Sequence, residues 1–480
     1  MEKRPNLLLA IADDQSWPHT GAYGCRFVKT PAFDRVAREG VLFQNAFCPS
    51  PSCAPSRAAL LTGRNPWQLN EGVNLWGTLP SKFAAYPDLL EAAGYHIGHT
   101  YKGWGPGSIE DSGRTRNPAG PAYNRRTNAP PSAKMSKNDY TANFQDFLAD
   151  RPAGAPFCFW YGAKEPHRAY EKGSGLRAGK SLASVEVPPF LPDCEEVRSD
   201  LLDYALEIEW FDAHLGRMLA HLEAIGELEN TLVVVTADNG FPFPRAKANL
   251  YELGMHVPLA LRWGARVPGG RVLTDHVSFI DLAPTFLEAA GLVPSGLTGR
   301  SLLPILVGPG SGRVDPLRDH VVTGRERHAF CRAENLGYPM RCLRTDDFVY
   351  IRNFEAERWP AGDPPAWGDI DASPTKHYLV RHRDDASVKP LFELAFGKRP
   401  GEELYAVKDG YANLRNLAAD PNYGKILSQL RERLTAILAE QNDPRLSGGG
   451  DFERYRYYGE NLKTGTFTGL EDLKAEGLLE

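Results

Sequence analysis

Cysteine is scarce in this sequence, and its spacing is irregular. The 480 residues include seven cysteines, an odd number with no Cys-x-x-Cys pair. These are Cys25, Cys48, Cys53, Cys158, Cys194, Cys331 and Cys342. The pattern indicates neither a disulfide framework nor a zinc site built on paired cysteines.

Long hydrophobic runs are also missing. No stretch approaches the ~18 consecutive apolar residues that cross a bilayer, so we expect no membrane span. The apolar run at residues 6–11 is too short for the hydrophobic region and cleavage site of a secretory signal. As written, the chain is expected in the cytoplasm, or in the periplasm or outside the cell if a signal was removed.

Positive charge is not in excess. The chain carries 55 basic and 60 acidic residues, for a formal net charge of −5. This balance argues against a general nucleic-acid binder. An anionic substrate would have to be bound by a local basic pocket.

Short apolar runs alternate with helical patterns over the first two thirds of the chain. Strands are predicted at residues 7–12, 157–162, 232–237 and 257–261, and helices at residues 31–39, 201–222 and 280–290. Such alternation predicts an α/β domain, with a doubly wound, mainly parallel sheet flanked by helices. We assign residues 1–315 to this domain.

A stretch rich in glycine and proline at residues 307–316 indicates a domain boundary. Beyond it, short strands are predicted at residues 321–324, 340–343 and 348–352, and a helix is predicted from Leu427, Leu430, Leu434 and Leu438. Residues 316–480 are therefore predicted to form a smaller α+β domain. Its long loop at residues 358–376 is either functional or merely connective.

The most informative stretch is residues 53–63, Cys-Ala-Pro-Ser-Arg-Ala-Ala-Leu-Leu-Thr-Gly. Cys53 lies just before a predicted helix start, where free N–H groups and the helix dipole attract anions and lower a thiol pKa. This location allows a reactive cysteine. The alternative is a buried structural cysteine.

Two polar pairs directly follow predicted strands. Asp13 and Asp14 come after the strand at residues 7–12, and Asp238 and Asn239 come after the strand at residues 232–237. In an open α/β sheet, both pairs would lie at the carboxyl ends of strands, where ligands bind. Four oxygen donors suit Ca²⁺ or Mg²⁺ better than zinc, although each pair alone is more typical of a turn or a solvated loop.

Together these features resemble the sulfatase family, in which the signature cysteine is oxidised to formylglycine. Within it, the sequence is most similar to the heparan N-sulfatase (sulfamidase) group. The supporting segments are residues 53–63, 165–168, 238–244, 249–251, 297–304 and 338–341. The resemblance implies an alkaline phosphatase-like fold, a bound calcium ion in preference to magnesium, and a formylglycine-generating enzyme as maturation partner.

The resemblance also implies roles for individual residues. The catalytic residues would be Cys53 as the formylglycine nucleophile, Arg57, Lys102 and Lys247 as sulfate-binding cations, and His167 as the acid that protonates the leaving group. The metal ligands would be Asp13, Asp14, Asp238, Asn239 and the modified Cys53. For each lysine or arginine the alternative is a solvated charge, and for His167 it is a hydrogen-bonded loop histidine.

Candidate substrate-binding residues are Arg168, Glu334, Tyr338 and Arg341. Packing explains Tyr338 equally well, and a surface charge explains Arg168. One position departs from the family pattern, because Trp104 stands where most sulfatases carry a histidine, and an indole cannot transfer a proton as an imidazole does. Either His167 acts alone, or His99 or His256 takes that role.

The leading prediction is hydrolysis of the N-sulfate of glucosamine in heparan-type saccharides. An O-sulfatase of sugars or aryl esters is the nearest alternative, because the sulfate-binding residues do not report the leaving group. A phosphonate or phosphoryl hydrolase of the same superfamily is more distant, and a non-catalytic binding module is the remaining alternative.

Overall fold

The computed structural model describes residues 4–449 and 451–479. Its strands are β1 (Asn6–Ala12), β2 (Val41–Phe47), β3 (His96–Tyr101), β4 (Phe157–Gly162), β5 (Thr231–Ala237), β6 (Leu259–Arg262), β7 (Arg271–Ser278), β8 (His320–Arg325), β9 (Met340–Thr345), β10 (Phe348–Asn353) and β11 (Glu402–Ala406). Its α-helices are α1 (Pro31–Glu39), α2 (Cys53–Thr62), α3 (Tyr86–Ala92), α4 (Tyr140–Ala149), α5 (Ser174–Arg177), α6 (Glu195–Ala224), α7 (Glu252–Met255), α8 (Leu282–Ala289), α9 (Leu303–Val307), α10 (Pro374–Arg381), α11 (Lys389–Phe396), α12 (Gly424–Glu440), α13 (Asp451–Arg454), α14 (Asn461–Thr464) and α15 (Leu470–Ala475).

The first seven strands form one sheet in the order β3-β4-β1-β5-β6-β2-β7. The pairs β3–β4, β4–β1, β1–β5 and β2–β7 are parallel, and β6 is antiparallel to both of its neighbours. Every residue of β1, β4 and β5 is buried, as expected for strands covered on both faces. The predicted α/β fold with a mainly parallel sheet is confirmed.

A second, antiparallel sheet has the order β11-β10-β9-β8. It packs against the four leucines from which helix α12 was predicted. Its edge strand β8 holds the segment that leads into α2. The Thr323 hydroxyl donates to the Cys48 carbonyl over 2.9 Å, and the Gly324 N–H donates to the Pro49 carbonyl over 3.0 Å. The smaller unit thus hydrogen-bonds the segment that leads to Cys53 and stabilises its position.

No helix within the described residues is both long and apolar enough to cross a membrane.

A buried ion pair joins α7 to strand β9 of the second sheet and predicts an acid-sensitive contact. The Arg344 Nε donates to Glu252 Oε1 over 2.7 Å. Burial alone would raise the pKa of the Glu252 carboxyl, but Arg344 and the hydrogen bond from His256 lower it to about 2 from 4.5. The stability that Glu252 contributes is therefore present above pH ~4.5 and lost as the pH falls toward ~2, and it amounts to about 3 kcal/mol.

We expect thermal denaturation of the wild-type protein to show this loss between pH 5 and pH 2. In Glu252→Gln the melting temperature should be lower at pH 7 and should fall less steeply with acid. Parallel curves for the two proteins would contradict the assignment.

Candidate active site

The site begins where β1 and β5 end side by side. Ala12 and Ala237 are paired in register, so the next residues of both strands emerge at one sheet edge. The Asp238 N–H donates to the Ala12 carbonyl over 3.0 Å, and the Asp14 N–H donates to Asp238 Oδ1 over 3.1 Å. Asp14 has a φ of 72°, which turns the chain sharply after the strand. The topology thus brings the two sequence-predicted pairs together.

These residues form a cluster suited to a hard cation. Asp13, Asp14, Asp238 and Cys53 are buried and offer ligand atoms that all lie within 4.8 Å of one another. The Asn239 Nδ2 donates to Asp14 Oδ1 over 2.5 Å, which leaves Asn239 Oδ1 buried without a hydrogen-bond donor. A buried oxygen of this kind requires a partner, and a cation among the carboxylates would supply one. Carboxylate and amide oxygens favour calcium or magnesium.

Each carboxylate is paired with a cation. Lys102 Nζ lies 2.5 Å from Asp13 Oδ2, and Lys247 Nζ lies 2.5 Å from Asp14 Oδ2. Burial alone would lower the pKa of each lysine. Asp13 raises the pKa of Lys102 and Asp14 raises that of Lys247 above the ordinary value, so both lysines stay charged.

Arg57 completes this set of cations. Its Nε donates to Asp238 Oδ2 over 2.7 Å, and its Nη1 donates to the carbonyls of Lys102 and Gly103 over 2.7 and 2.9 Å. Nη2 is buried without a partner. Arg57 therefore links Asp238 of the cluster to the loop that carries Lys102.

Cys53 was predicted to lie just before a helix and is in fact the first residue of α2, where it is 2% exposed. Its thiol donates to Asp13 Oδ1 over 3.5 Å. The expectation that the helix N-terminus lowers the thiol pKa is wrong in this environment. Burial raises the pKa of Cys53 well above its ordinary value, and Asp13 and Asp238 add to the rise against the opposing effect of Lys102. An unmodified thiol here is a weak nucleophile.

His167 lies in the loop after β4 and presents one ring nitrogen to the cluster. Its Nδ1 donates to the Arg168 carbonyl over 2.6 Å, which leaves Nε2 free to exchange a proton. Nε2 lies 3.7 Å from Asp14 Oδ2, and the side chain is one third exposed. The imidazole therefore stands between the buried cluster and open space.

A cavity of about 710 Å³ opens over the cluster, a volume typical of small-molecule sites. It contains the predicted residues Asp13, Cys53, Lys102, His167 and Lys247. Aromatic side chains on its wall are Trp76, Tyr101, Trp104 and Tyr457. Aromatic rings together with fixed cations suit a sugar bearing an anionic group.

Sequence reasoning missed several residues of the cavity wall. Asp371, Asn461 and Thr468 come from the C-terminal unit, and His328 contacts the Ser52 hydroxyl, 2.8 Å away, just before α2. Burial lowers the pKa of His328 to about 3, so it is neutral at pH 7. The one sequence signal that could have indicated Asp371 was the long loop at residues 358–376, which was predicted to be either functional or merely connective.

Four predicted substrate-binding residues are not brought to the cavity. Arg168 is buried and forms a bidentate ion pair with Asp200, with distances of 2.7 and 2.9 Å. Tyr338 and Arg341 are 0% exposed, so neither has surface for a ligand. Glu334 is exposed, but it does not line the cavity.

Arg341 instead stabilises the C-terminal unit. Its guanidinium lies 2.6 Å from Asp443 and 2.9 Å from Glu326, both buried. Removal of one partner from a buried ion pair costs about 3–5 kcal/mol. We expect Arg341→Met to lower the free energy of unfolding, measured by denaturant titration, with KM per folded molecule unchanged. A raised KM in a variant of normal stability would restore Arg341 to the substrate site.

The structure shows whether His99 or His256 lies at the site in place of the histidine that Trp104 replaces. Trp104 lines the cavity, and its indole nitrogen is buried without a partner. His99 contacts the Gly120 carbonyl, and His256 contacts Glu252 and the Gln44 carbonyl. Neither of these two histidines lines the cavity, whereas His167 and His328 do. Of the latter pair, His167 has a ring nitrogen 3.7 Å from Asp14 of the cluster.

Comparison with known families agrees with this site. The family model described as sulfatase matches residues 5–292. A second model, described as N-sulphoglucosamine sulphohydrolase, C-terminal, matches residues 245–357. The chain belongs to the sulfatase family, which confirms the resemblance seen in its sequence and supports sulfuric ester hydrolase activity.

Individual relatives include both sulfamidases and O-sulfatases. N-sulphoglucosamine sulphohydrolase of Homo sapiens is 29% identical over 485 residues, covering 92% of this chain and 91% of the relative. N-acetylgalactosamine-6-sulfatase of Canis lupus familiaris is 30% identical over 364 residues, covering 63% of this chain and 66% of the relative. A protein solved in complex with its substrate D-glucosamine-2-N,6-O-disulfate shares the fold, with a TM-score of 0.67 and 21% identity over 92% of this chain and 99% of that one.

Proposed function

We propose that this protein hydrolyses the N-sulfate of glucosamine at the end of heparan-type saccharides. The cluster of cations over Cys53 supports sulfate chemistry. The observation that carries the choice of an N-sulfate is the match of residues 245–357 to the C-terminal model of N-sulphoglucosamine sulphohydrolases. Similarity to the human sulfamidase over 92% of the chain agrees with it.

Two groups complete the proposed site. Cys53 is oxidised to formylglycine by a formylglycine-generating enzyme, and a calcium ion is held by Asp13, Asp14, Asp238 and Asn239. When present, the hydrated aldehyde supplies an oxygen nucleophile, and the ion supplies Lewis acidity toward a sulfate oxygen. The buried, unpaired Asn239 oxygen and the three clustered carboxylates fit such an ion.

The remaining chemistry is assigned to side chains of the cavity. Lys102 and Lys247, both held charged, offset negative charge on the sulfate oxygens in the transition state. The S–N bond breaks with its electron pair going to nitrogen, and His167 Nε2 delivers a proton there. Overall, R–NH–SO₃⁻ and water give R–NH₃⁺ and SO₄²⁻.

An O-sulfatase is the second candidate. The similarity to an N-acetylgalactosamine-6-sulfatase favours it. Neither the cations nor His167 distinguish a bridging nitrogen from a bridging oxygen. The aromatic wall of the cavity would serve either substrate.

Release of free sulfate should be compared for N-sulfoglucosamine, glucosamine 6-sulfate and an aryl sulfate. The protein should carry a Cys53 modification confirmed by peptide mass, with calcium supplied. We expect the highest kcat/KM with N-sulfoglucosamine. Preference for either O-sulfate would move the function to the second candidate, and no sulfate release from the modified protein would count against both.

A further inference from the structure

Asp371 stands apart from the other carboxylates of the site. Of the described residues that line the cavity, Asp13 and Asp371 are the acidic ones, and Asp13 belongs to the cluster around Cys53. Asp371 groups instead with Asp14 and His167, with ligand atoms of all three within 4.8 Å of one another. It therefore lies beside His167, the proposed acid.

The Asp371 carboxylate is charged but incompletely paired. Lys247 Nζ lies 3.2 Å from its Oδ2, yet this buried oxygen accepts no well-aligned hydrogen bond. Burial alone would raise the pKa of Asp371, but the Lys247 ammonium lowers it below its usual range. Although Oδ2 is buried, the side chain as a whole is 28% exposed and lines the cavity. An ionised carboxylate accepts hydrogen bonds and donates none, so the cavity offers an acceptor beside the proposed acid.

The loop that carries Asp371 is anchored through the residues just before it. Three carbonyls within residues 366–370 accept hydrogen bonds from the buried Lys376 ammonium, which follows Asp371 in the chain, over 2.9–3.1 Å. Asp369 also accepts a hydrogen bond from Arg332 over 2.6 Å and another from the Ala329 N–H over 2.9 Å. These anchors hold the Asp371 backbone in place, as a selective contact requires.

A sulfamate and a sulfate ester differ at the bridging atom. The sulfamate nitrogen carries a hydrogen and can donate, whereas the ester oxygen carries none and would present a lone pair to the carboxylate. A site built around a substrate N–H strongly rejects the analogue that lacks it. Asp371 also lies outside the residues matched by either family model, which end at residue 357.

We propose that Asp371 is the specificity-determining residue that accepts a hydrogen bond from the bridging N–H of a sugar sulfamate. The proposal rests on the proposed function and names the group that makes it selective. Because Asp371 repels any anionic sulfate group, removing its charge would by itself strengthen the binding of every sulfated ligand. A loss confined to sulfamates therefore distinguishes recognition of the N–H from a general effect on Lys247.

The first test compares N-sulfoglucosamine with glucose 2-sulfate, which carries oxygen at the same position. In Asp371→Asn we expect kcat/KM for N-sulfoglucosamine to fall at least about tenfold, because hydrogen bonds to charged groups are the strong ones. For glucose 2-sulfate it should stay level or rise. The matched control is Asp384→Asn, whose side chain is 93% exposed and which should resemble the wild type. Equal losses for both substrates would overturn the proposal.

The second test needs no turnover. Calorimetry on Cys53→Ala and on Cys53→Ala combined with Asp371→Asn gives the Kd of each intact ligand. We expect the second change to weaken N-sulfoglucosamine binding about tenfold and to leave glucose 2-sulfate binding unweakened. If the wild-type enzyme fails to hydrolyse N-sulfoglucosamine but this selective loss is seen, the proposed function fails and the Asp371 contact stands. No selective loss overturns the contact whatever the activity.

Discussion

Replacement of Cys53 by alanine is expected to lower sulfate release by at least about 10⁴-fold, the scale on which hydrolases lose activity without their nucleophile. The side chain is buried at the start of α2, and its one hydrogen bond goes to Asp13 over 3.5 Å. Alanine keeps the helix and removes only the sulfur. The fold, measured by circular dichroism and melting temperature, should therefore persist while turnover disappears.

Cys25 provides the matched control for this change. It is half-buried and does not line the cavity, so Cys25→Ala should retain wild-type kcat/KM. Activity retained in Cys53→Ala would refute the proposed nucleophile. Activity lost equally in both variants would indicate that cysteine content affects folding instead.

Replacement of Asp238 by asparagine is expected to abolish stabilisation by calcium and to reduce sulfate release at least about 10²-fold, the upper range for perturbing metal-site partners. One oxygen of Asp238 accepts from Arg57 over 2.7 Å, and the other accepts the N–H groups of Asp14 and Asn239 over 3.1 and 2.8 Å. In asparagine one of these oxygens becomes an NH₂ group, which would point its own hydrogens at N–H donors and lose their hydrogen bonds. Arg57 would then be buried without its counter-ion, at a cost of about 3–5 kcal/mol.

The measurement is the melting temperature with calcium and with a chelator. Wild-type protein should melt at a higher temperature with calcium, whereas Asp238→Asn should melt earlier and show no difference between the two conditions. Asp275 is the matched control, because it is equally buried and accepts the N–H groups of Val314 and Asp315 outside the site. Asp275→Asn should lower the melting temperature and keep the calcium effect. A calcium effect that survives in Asp238→Asn would rule out this carboxylate as a ligand.

Elements with a strong apolar pattern were predicted well from the sequence. The strand at residues 157–162 and the helix at residues 31–39 have the bounds that the structure shows, and residues 7–12 and 232–237 differ from β1 and β5 by one residue. The strands are mostly apolar runs. The helix begins with a proline and is followed by a glycine, so local chemistry decides the type of each element.

The strands β2, β3 and β7 were not predicted, because their sequences mix polar and apolar residues. In β3, for example, His96, His99 and Thr100 stand among few apolar side chains. β3 is a strand because it pairs with β4 along its whole length. Tertiary pairing overrides weak local preference here.

The predicted strand at residues 257–261 exists with shifted bounds as β6. It runs antiparallel to β5 and β2, within a sheet that was predicted to be mainly parallel without a direction for this strand. Strand direction depends on how the connecting segment returns to the sheet, which apolar patterning does not encode.

By itself, the sequence determined the family and the α/β fold. It also brought together Asp13, Cys53, Lys102, His167 and Lys247, the first two through a strand end and the signature motif and the other three through the family resemblance. Only the tertiary structure decided which further side chains share that cavity. Asp371 joins it through long-range anchoring of its loop, while Arg168 and Arg341 are withdrawn from it by buried carboxylates far away in sequence. A short motif specifies residues close in the chain, but the partner that a buried charge finds depends on the packing of the whole molecule.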